Sequence, residues 1–438
     1  MTLNRNRQGF GSLPIPAALL LFGYIIYIGI AYYFQIDNYP ITSTYLALTY
    51  AWSIACIILG RKVLLTSLDT WTGILIAIIG LGYISNSGIN SQLILVILLG
   101  LNYAIGRHIR YAHLPKLFKC ITAVGILALA ISVPELPKFF GSWQMGAMRP
   151  ELYGGGGYAS AFGHSMGLLL VVVVGWWLPH TRTKFIPYLL VLVLSLTIIY
   201  SSARIAIVSC AIALVVLLSC RASMPLKKKV FIMTFWGVLA LVTWAALPET
   251  YREFNSLEED SGLISLLTEP IGTGDTLDVQ SDASDFTTQN TLGTRVQIIR
   301  SCLVQFFKYP IFGYGPNTLI IPHNSFLQVL FEHGAIAGMI LGYTLLKILF
   351  LTFRSIRVAG ESSRRDLVLL LAMFIYMLLY SAVMGSTLTM ASLFLLMGVI
   401  VSAVTNAGTA TVTSNKGGRK SWIGERKAAA VGCRPRRA

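Results

Sequence analysis

The chain has 438 residues, 55 % of them hydrophobic and only 12 % charged. So few charges exclude a soluble protein of this size. The net charge of +16 does not point to nucleic acid, because cytoplasmic loops of membrane proteins collect Lys and Arg.

In chain order, apolar runs near the roughly 20 residues that cross a bilayer as a helix recur from Leu13 onward. They are too long and continuous for alternating barrel strands, and only helices and closed barrels satisfy their backbone in lipid. The expected fold is therefore all-α and polytopic. Twelve spans are expected, roughly at 13–34, 42–59, 70–85, 91–106, 117–134, 158–178, 185–201, 203–220, 229–247, 334–353, 366–383 and 387–405. The first run lacks a small-residue cleavage site after it, so no cleavable signal is expected.

Threading the spans with the amino terminus inside places 27 of the 34 basic residues in cytoplasmic segments and 14 of the 18 acids opposite. That asymmetry predicts both termini in the cytoplasm. Four regions follow: residues 1–247 with nine spans and a short outer loop at 134–158, a large outer loop at 248–333, three spans in 334–405, and a basic tail at 406–438. The tail's composition predicts a disordered, lipid-attracted segment. Six cysteines (Cys56, Cys120, Cys210, Cys220, Cys302 and Cys433) form no CxxC pair and read as small core residues.

Within the large loop, TGDTLDVQSDASDFTTQN is acidic and poor in apolar residues, which predicts a solvated, mobile stretch. Asp275, Asp278, Asp282 and Asp285 do not follow the EF-hand ligand pattern. Next, Ile299, Cys302 and Phe306 recur at helical spacing before Pro310, which predicts an amphipathic helix on the membrane surface. The run Asn324 to His333 follows Pro322 and also reads as helical.

Seven basic residues fall outside the cytoplasmic segments, and three of them suggest chemistry. Arg204 opens a span in YSSARIAIVSC, where Ser201 or Ser202 can cap the helix. A helix amino terminus disfavours a cation, but free N–H groups together with an Arg make an anion site; the alternative is snorkelling to lipid headgroups. Arg295 lies on the apolar stripe of the amphipathic helix, where a cation calls for an anionic partner. Arg149 precedes four glycines in MRPELYGGGGY, and Glu151 can pair with it instead. His323 sits on the same side as these arginines; cations beside a neutral imidazole keep it a free base. His333 and His164 lie near span ends, with no stripe or turn to single them out. No HExxH, DxD, GxSxG, P-loop or zinc spacing appears on the outer side.

The stretch GTRVQIIRSCLVQFFKYPIFGYGPNTLIIPHNSFLQVLFEHGAIAG contains an Arg opening a helix, a P-x-x-G-x-G turn, H-N-x-x-L and a Glu-x-Gly before a span. It resembles the signature region of the O-antigen ligase and polymerase superfamily. The SSAR at 201–204 is similar to that family's Ser-x-Arg at a span start, and the twelve-span layout with a large loop before the last three is similar as well.

The resemblance implies a GT-C-like helical glycosyltransferase of the bacterial inner membrane, with one large periplasmic loop. It implies an undecaprenyl-pyrophosphate-linked glycan as donor and no metal or nucleotide cofactor. Ligases of the family transfer to lipid A–core; polymerases extend another lipid-linked repeat. Carried over, His323 becomes the catalytic residue and Arg204 and Arg295 the pyrophosphate-binding arginines. Asn324 of the H-N pair joins the substrate site, and Arg149 is a looser match. Residues 255–290 depart from the family pattern. The single compact large loop favours a ligase over a polymerase; transfer to a protein Ser or Thr is a third possibility. A small-anion transporter is the alternative from another class, but the arginines gather on one face rather than at the midplane of broken helices.

Overall fold

The computed structural model describes residues 13–35, 38–58, 63, 65–87, 91–141, 152–154, 156–181, 185–201, 204–220, 225–246, 299, 302–315, 324–382 and 390–405. The acidic insert, most of the expected large loop and the basic tail lie outside them.

The described chain is a helical bundle. Its helices are α1 (Pro14–Phe34), α2 (Asn38–Ile58), α3 (Ser67–Ser87), α4 (Ser91–His108), α5 (Leu114–Ser132) and the short α6 (Leu136–Gly141). Then come α7 (Gly156–Val172), α8 (Phe185–Tyr200), α9 (Arg204–Ser219) and α10 (Leu226–Ala246). A short helix over 302–308 precedes α11 (Ser325–Val358), α12 (Glu361–Ser381) and α13 (Met390–Thr405). Five helical runs are long and apolar enough to cross a membrane: Pro14–Phe34, Ser67–Ser85, Tyr111–Gly141, Tyr158–His180 and Ser325–Val358. Thr44–Ile58, Leu93–His108, Phe185–Tyr200, Ile205–Ser219 and Met390–Thr405 are shorter apolar helices. The chain is a multi-pass membrane protein by this pattern.

Local chemistry sets the ends. Pro14 opens α1, where a missing N–H costs nothing, and Gln35 closes it in the left-handed region at φ +50°. Thr66 and Asp69 form a reciprocal cap on α3: Thr66 N donates to Asp69 Oδ2 at 2.6 Å and Asp69 N to Thr66 Oγ1 at 3.4 Å. The fifth span was expected to end near residue 134. Instead a 3₁₀ turn, Val133–Glu135, carries the helical path on into α6 and Gly141.

α7 is the hub. It packs on α1, α5, α8, α9 and α12, and 78 % of its span is buried. A π turn at Val173–Trp177 continues it into Leu178–His180. Between lipid-exposed helices, close packing rather than the hydrophobic effect drives association, and small residues let backbones approach. The α4–α13 crossing shows this: a Cβ on Gly106 would lie 2.2 Å from the Leu395 carbonyl oxygen, and one on Gly398 would lie 2.2 Å from that of Tyr103. On α11, Ile336, Met339, Tyr343, Leu346, Phe350 and Phe353 are exposed at helical spacing, an apolar stripe suited to acyl chains.

Side-chain contacts fix the directions. Tyr33 Oη donates to the Ile131 carbonyl, so α1 and α5 finish together. The ring of Tyr24 on α1 lies 6.4 Å from that of Tyr158 near the start of α7. Cys210 Sγ contacts the Gly167 carbonyl and Leu217 approaches Gly175, so α7 and α9 start at one end. Tyr376 Oη donates to the His164 carbonyl, so α12 finishes there. α11 and α12 pack on each other across a two-residue turn and run antiparallel, which brings the start of α11 to the same end. We refer to this as the upper end.

Candidate functional site

The upper end gathers the starts of the two helices that the sequence singled out. Arg204 is the first residue of α9. Asn324 caps α11, directly after His323. The Ser201 hydroxyl donates back to the Ile198 carbonyl at 2.7 Å, within the last turn of α8. His323, Arg295 and Arg149 lie outside the described residues, and only the backbone of Arg204 is described. The fold therefore brings the starts of α9 and α11 to one end of the bundle.

Asn324 has extended backbone angles, and its Oδ1 accepts from Phe326 N and Leu327 N, each at 3.0 Å. These bonds satisfy two of the free donors at a helix start. One face of the amide is therefore committed to structure, and only Nδ2 is left to donate elsewhere.

α11 is helical from Ser325 to His333 and breaks at Gly334, φ +82° and ψ 176°, a conformation open in practice only to glycine. The turn after the 302–308 helix fills the break. Tyr314 N donates to the Phe331 carbonyl at 3.0 Å, Gly315 N to that of Glu332 at 3.1 Å, and Ala335 N to that of Pro310 at 2.8 Å. A Cβ on Gly334 would lie 2.0 Å from the Ile311 carbonyl oxygen. Gly313, at φ +74°, would place one 2.5 Å from the Phe331 and Glu332 carbonyl oxygens. The P-x-x-G-x-G turn and the Glu-x-Gly stretch, read separately in the sequence, are two halves of one backbone clasp.

The 302–308 helix is held by the same structure. Its apolar stripe was expected to lie on the membrane surface or against protein, and it meets protein. Cys302 is fully buried against Phe331, and the Phe306 ring lies 5.7 Å from that of Phe331. Tyr314 Oη reaches Cys302 Sγ at 3.6 Å. Burial pushes the Cys302 thiol up to about 11, so it is a packing group and not a nucleophile at neutral pH. The outward side carries Phe307, Tyr309, Ile311 and Phe312, all exposed.

Below the clasp sits a buried polar pair that sequence reasoning passed over. Glu332 is 4 % and His333 5 % exposed. Gln328 Nε2 donates to Glu332 Oε1 at 3.0 Å, and His333 Nε2 lies 3.9 Å from Glu332 Oε2. The His333 ring tilts against Tyr83 at 5.6 Å, and its Nδ1 has no hydrogen-bond partner among the described residues. Gly82 leaves room for it: a Cβ there would come within 2.7 Å of Nδ1. The signal available in the sequence was adjacency, two ionisable residues in an apolar run just before a glycine. His164 stacks on Tyr376 and Tyr380 inside the bundle, as a structural histidine does. Among the described residues, no three His, Cys, Asp or Glu side chains group as metal ligands.

Compared with known families, residues 189–342 match the family model described as O-Antigen ligase. The match runs from α8 into α11 and takes in Arg204, Arg295, the clasp, His323 and Asn324. The chain has no match among curated proteins.

Proposed function

We propose, from the premise that residues 189–342 match the O-antigen ligase family model, that the chain transfers an O-antigen glycan from undecaprenyl pyrophosphate to lipid A–core. The match supports a glycan-transferring membrane enzyme of ligase or polymerase type, with a lipid-linked donor in general. The finer reading places the reaction on the periplasmic face of the bacterial inner membrane, twelve spans in a GT-C-like arrangement and both termini in the cytoplasm. The observation that supports it is that α9, which begins at Arg204, and α11, capped by Asn324, both start at the upper end.

In this mechanism Arg204 and Arg295 grip the donor's pyrophosphate, with Asn324 Nδ2 as a further donor and Arg149 reaching in from the 134–158 loop. Bidentate guanidinium–phosphate contacts suit this role better than a point charge. His323 takes the proton from the acceptor hydroxyl as its oxygen attacks the anomeric carbon. The bond from that carbon to the pyrophosphate oxygen breaks, and undecaprenyl pyrophosphate leaves with the electron pair. Negative charge grows on the leaving oxygen in the transition state, and fixed guanidinium groups stabilise it there. A single displacement inverts the anomeric configuration, and the arginines supply the electrophilic assistance. The α9 start adds free backbone N–H groups to the anion site.

The discontinuity at Gly334 is the one feature that also suits a transporter. The clasp closes it with backbone hydrogen bonds, however, unlike the broken helices of transporter sites.

The test uses purified protein with lipid-linked O-antigen and lipid A–core. Glycan on the core is the expected product; longer lipid-linked chains would make the protein a polymerase, and neither product would remove the reading. His323→Ala should lower transfer by about 10²-fold or more, the scale of general-base catalysis, while donor still binds. Transfer near the wild-type rate would take His323 out of the mechanism.

A further inference from the structure

The upper end holds a second feature, a cleft of about 520 Å³ where α1, the α5–α6 turn and the chain before α7 meet. Its polar and aromatic lining is Tyr32, Tyr33, Gln35, Glu135, Lys138 and Tyr153. The three tyrosines form one cluster. Tyr32 and Tyr33 have ring centroids 5.6 Å apart, Tyr32 and Tyr153 also 5.6 Å, and Tyr33 and Tyr153 6.2 Å, with steep angles between the planes.

The cluster is tied down. Tyr33 Oη donates to the Ile131 carbonyl at 3.0 Å, and Tyr153 Oη lies 2.7 Å from Ser132 Oγ. Two rings are thus held by the last turn of α5. Glu135 is only 6 % exposed, yet it lines the cleft, with the exposed Lys138 Nζ at 3.3 Å. A surface pair of this kind is worth little to stability, so it does not by itself explain a buried carboxylate.

Strain marks the same place. Among the described residues, the non-glycine residues with positive φ are Gln35 at +50° and Tyr153 at +52°, and both line this cleft. Left-handed backbone is uncommon for a bulky residue and costs about 1–3 kcal/mol. Such outliers cluster at ligand clamps and functional sites.

The lining selects a ligand class. An isoprenoid chain would find a carboxylate and an ammonium where it needs apolar surface. A phosphate would meet Glu135 beside Lys138. A pyranose presents a C–H face to stack on tyrosine and hydroxyls to bond a carboxylate, an amide and an ammonium. The volume is within the range of small-molecule sites.

The cleft is also linked to the α9 start. α6 leaves its rim, the ring of Phe139 packs on that of Phe162 in α7, and the ring of Phe140 lies 4.9 Å from that of Tyr200, four residues before Arg204.

Resting on the transfer reaction proposed above, we infer that this cleft is a glycan-binding subsite. It holds a sugar unit of a substrate beside the reacting end, through the Tyr32–Tyr33–Tyr153 cluster and the Glu135 carboxylate.

The test is saturation-transfer NMR on the full-length protein in lipid nanodiscs, with two lipid-free probes: core oligosaccharide and O-antigen repeat oligosaccharide. Transfer to ring C–H protons of one probe is expected, and it identifies whether acceptor or donor sugar occupies the cleft. Glu135→Gln should weaken that binding by about tenfold, the loss expected for one hydrogen bond to a charged group, and Tyr32→Ala should weaken it by removing a stacking ring. Arg204→Ala should leave it unchanged, because the probes carry no pyrophosphate. No binding of either probe, or binding that survives both cleft variants, would overturn the subsite. Loss of glycan transfer in all proteins alongside intact, cleft-dependent sugar binding would instead sink the reaction and leave the subsite standing. The glutamine variant preserves shape, and unchanged thermal unfolding would exclude misfolding as the cause of weaker binding.

Discussion

Two buried polar clusters lie at opposite ends of the bundle, and they are satisfied to different degrees. At the lower end, Asp69 accepts from Thr66 N at 2.6 Å and Thr66 Oγ1 at 2.8 Å, from Tyr103 Oη at 2.7 Å, and from Arg107 Nε at 2.6 Å and Nη2 at 3.0 Å. The Asp69 and Arg107 side chains are 9 % and 5 % exposed. At the upper end, Glu332 and His333 are as deeply buried, but among the described residues one hydrogen bond from Gln328 and one unpartnered imidazole nitrogen replace that closed network. A charge is tolerated in a dry place only when its partners are complete. The lower cluster meets that condition and serves architecture. Among the described residues the upper one does not, and it sits beside the break at Gly334. Departures from local consistency are expected where a protein works.

Breaking the closed cluster should have the largest effect. Asp69→Ala strands the buried Arg107 guanidinium and removes the α3 cap, and it should destabilise the protein by about 3–5 kcal/mol. The check is the unfolding midpoint in detergent; a shift as small as that of a surface variant would mean that the pair adds nothing. Gly334→Ala should come next. The left-handed backbone alone costs about 1–3 kcal/mol for a residue with a Cβ, and contact with the Ile311 carbonyl adds to it. Limited proteolysis should then cut after the 302–308 helix, where the wild type resists; equal resistance would show that the clasp does not hold the turn. The smallest change in stability belongs to Glu332→Gln, within about 0.5 kcal/mol, because an amide can keep the Gln328 contact. Transfer activity should nevertheless fall. Stability and activity moving together would erase the distinction between the two ends.

Much of the bundle was legible before any coordinates. Long apolar runs announce helices, and the Asn324–His333 segment was visible from its start signal and its length. The clasp was not, because neither glycine reveals its purpose alone: Gly313 needs carbonyls that lie about twenty residues on in the chain. The direction of the Cys302–Phe306 stripe was also ambiguous, since lipid and a protein core make the same demand on an apolar face. The tyrosine cleft draws on three separated segments, and no local pattern joins Tyr32 to Tyr153. Charge asymmetry predicts a shared membrane side for Arg204 and His323; the bundle directions show that α9 and α11 start at one end.

The clasp has a consequence for how such a chain can vary. The turn over residues 310–315 is fastened to α11 at Phe331, Glu332 and Ala335, so the start of α11 at Ser325 stands nine helical residues from a backbone seam. That spacing does not depend on the length of the preceding chain. A change in chain length before the 302–308 helix therefore leaves the register between that seam and α11 as it is.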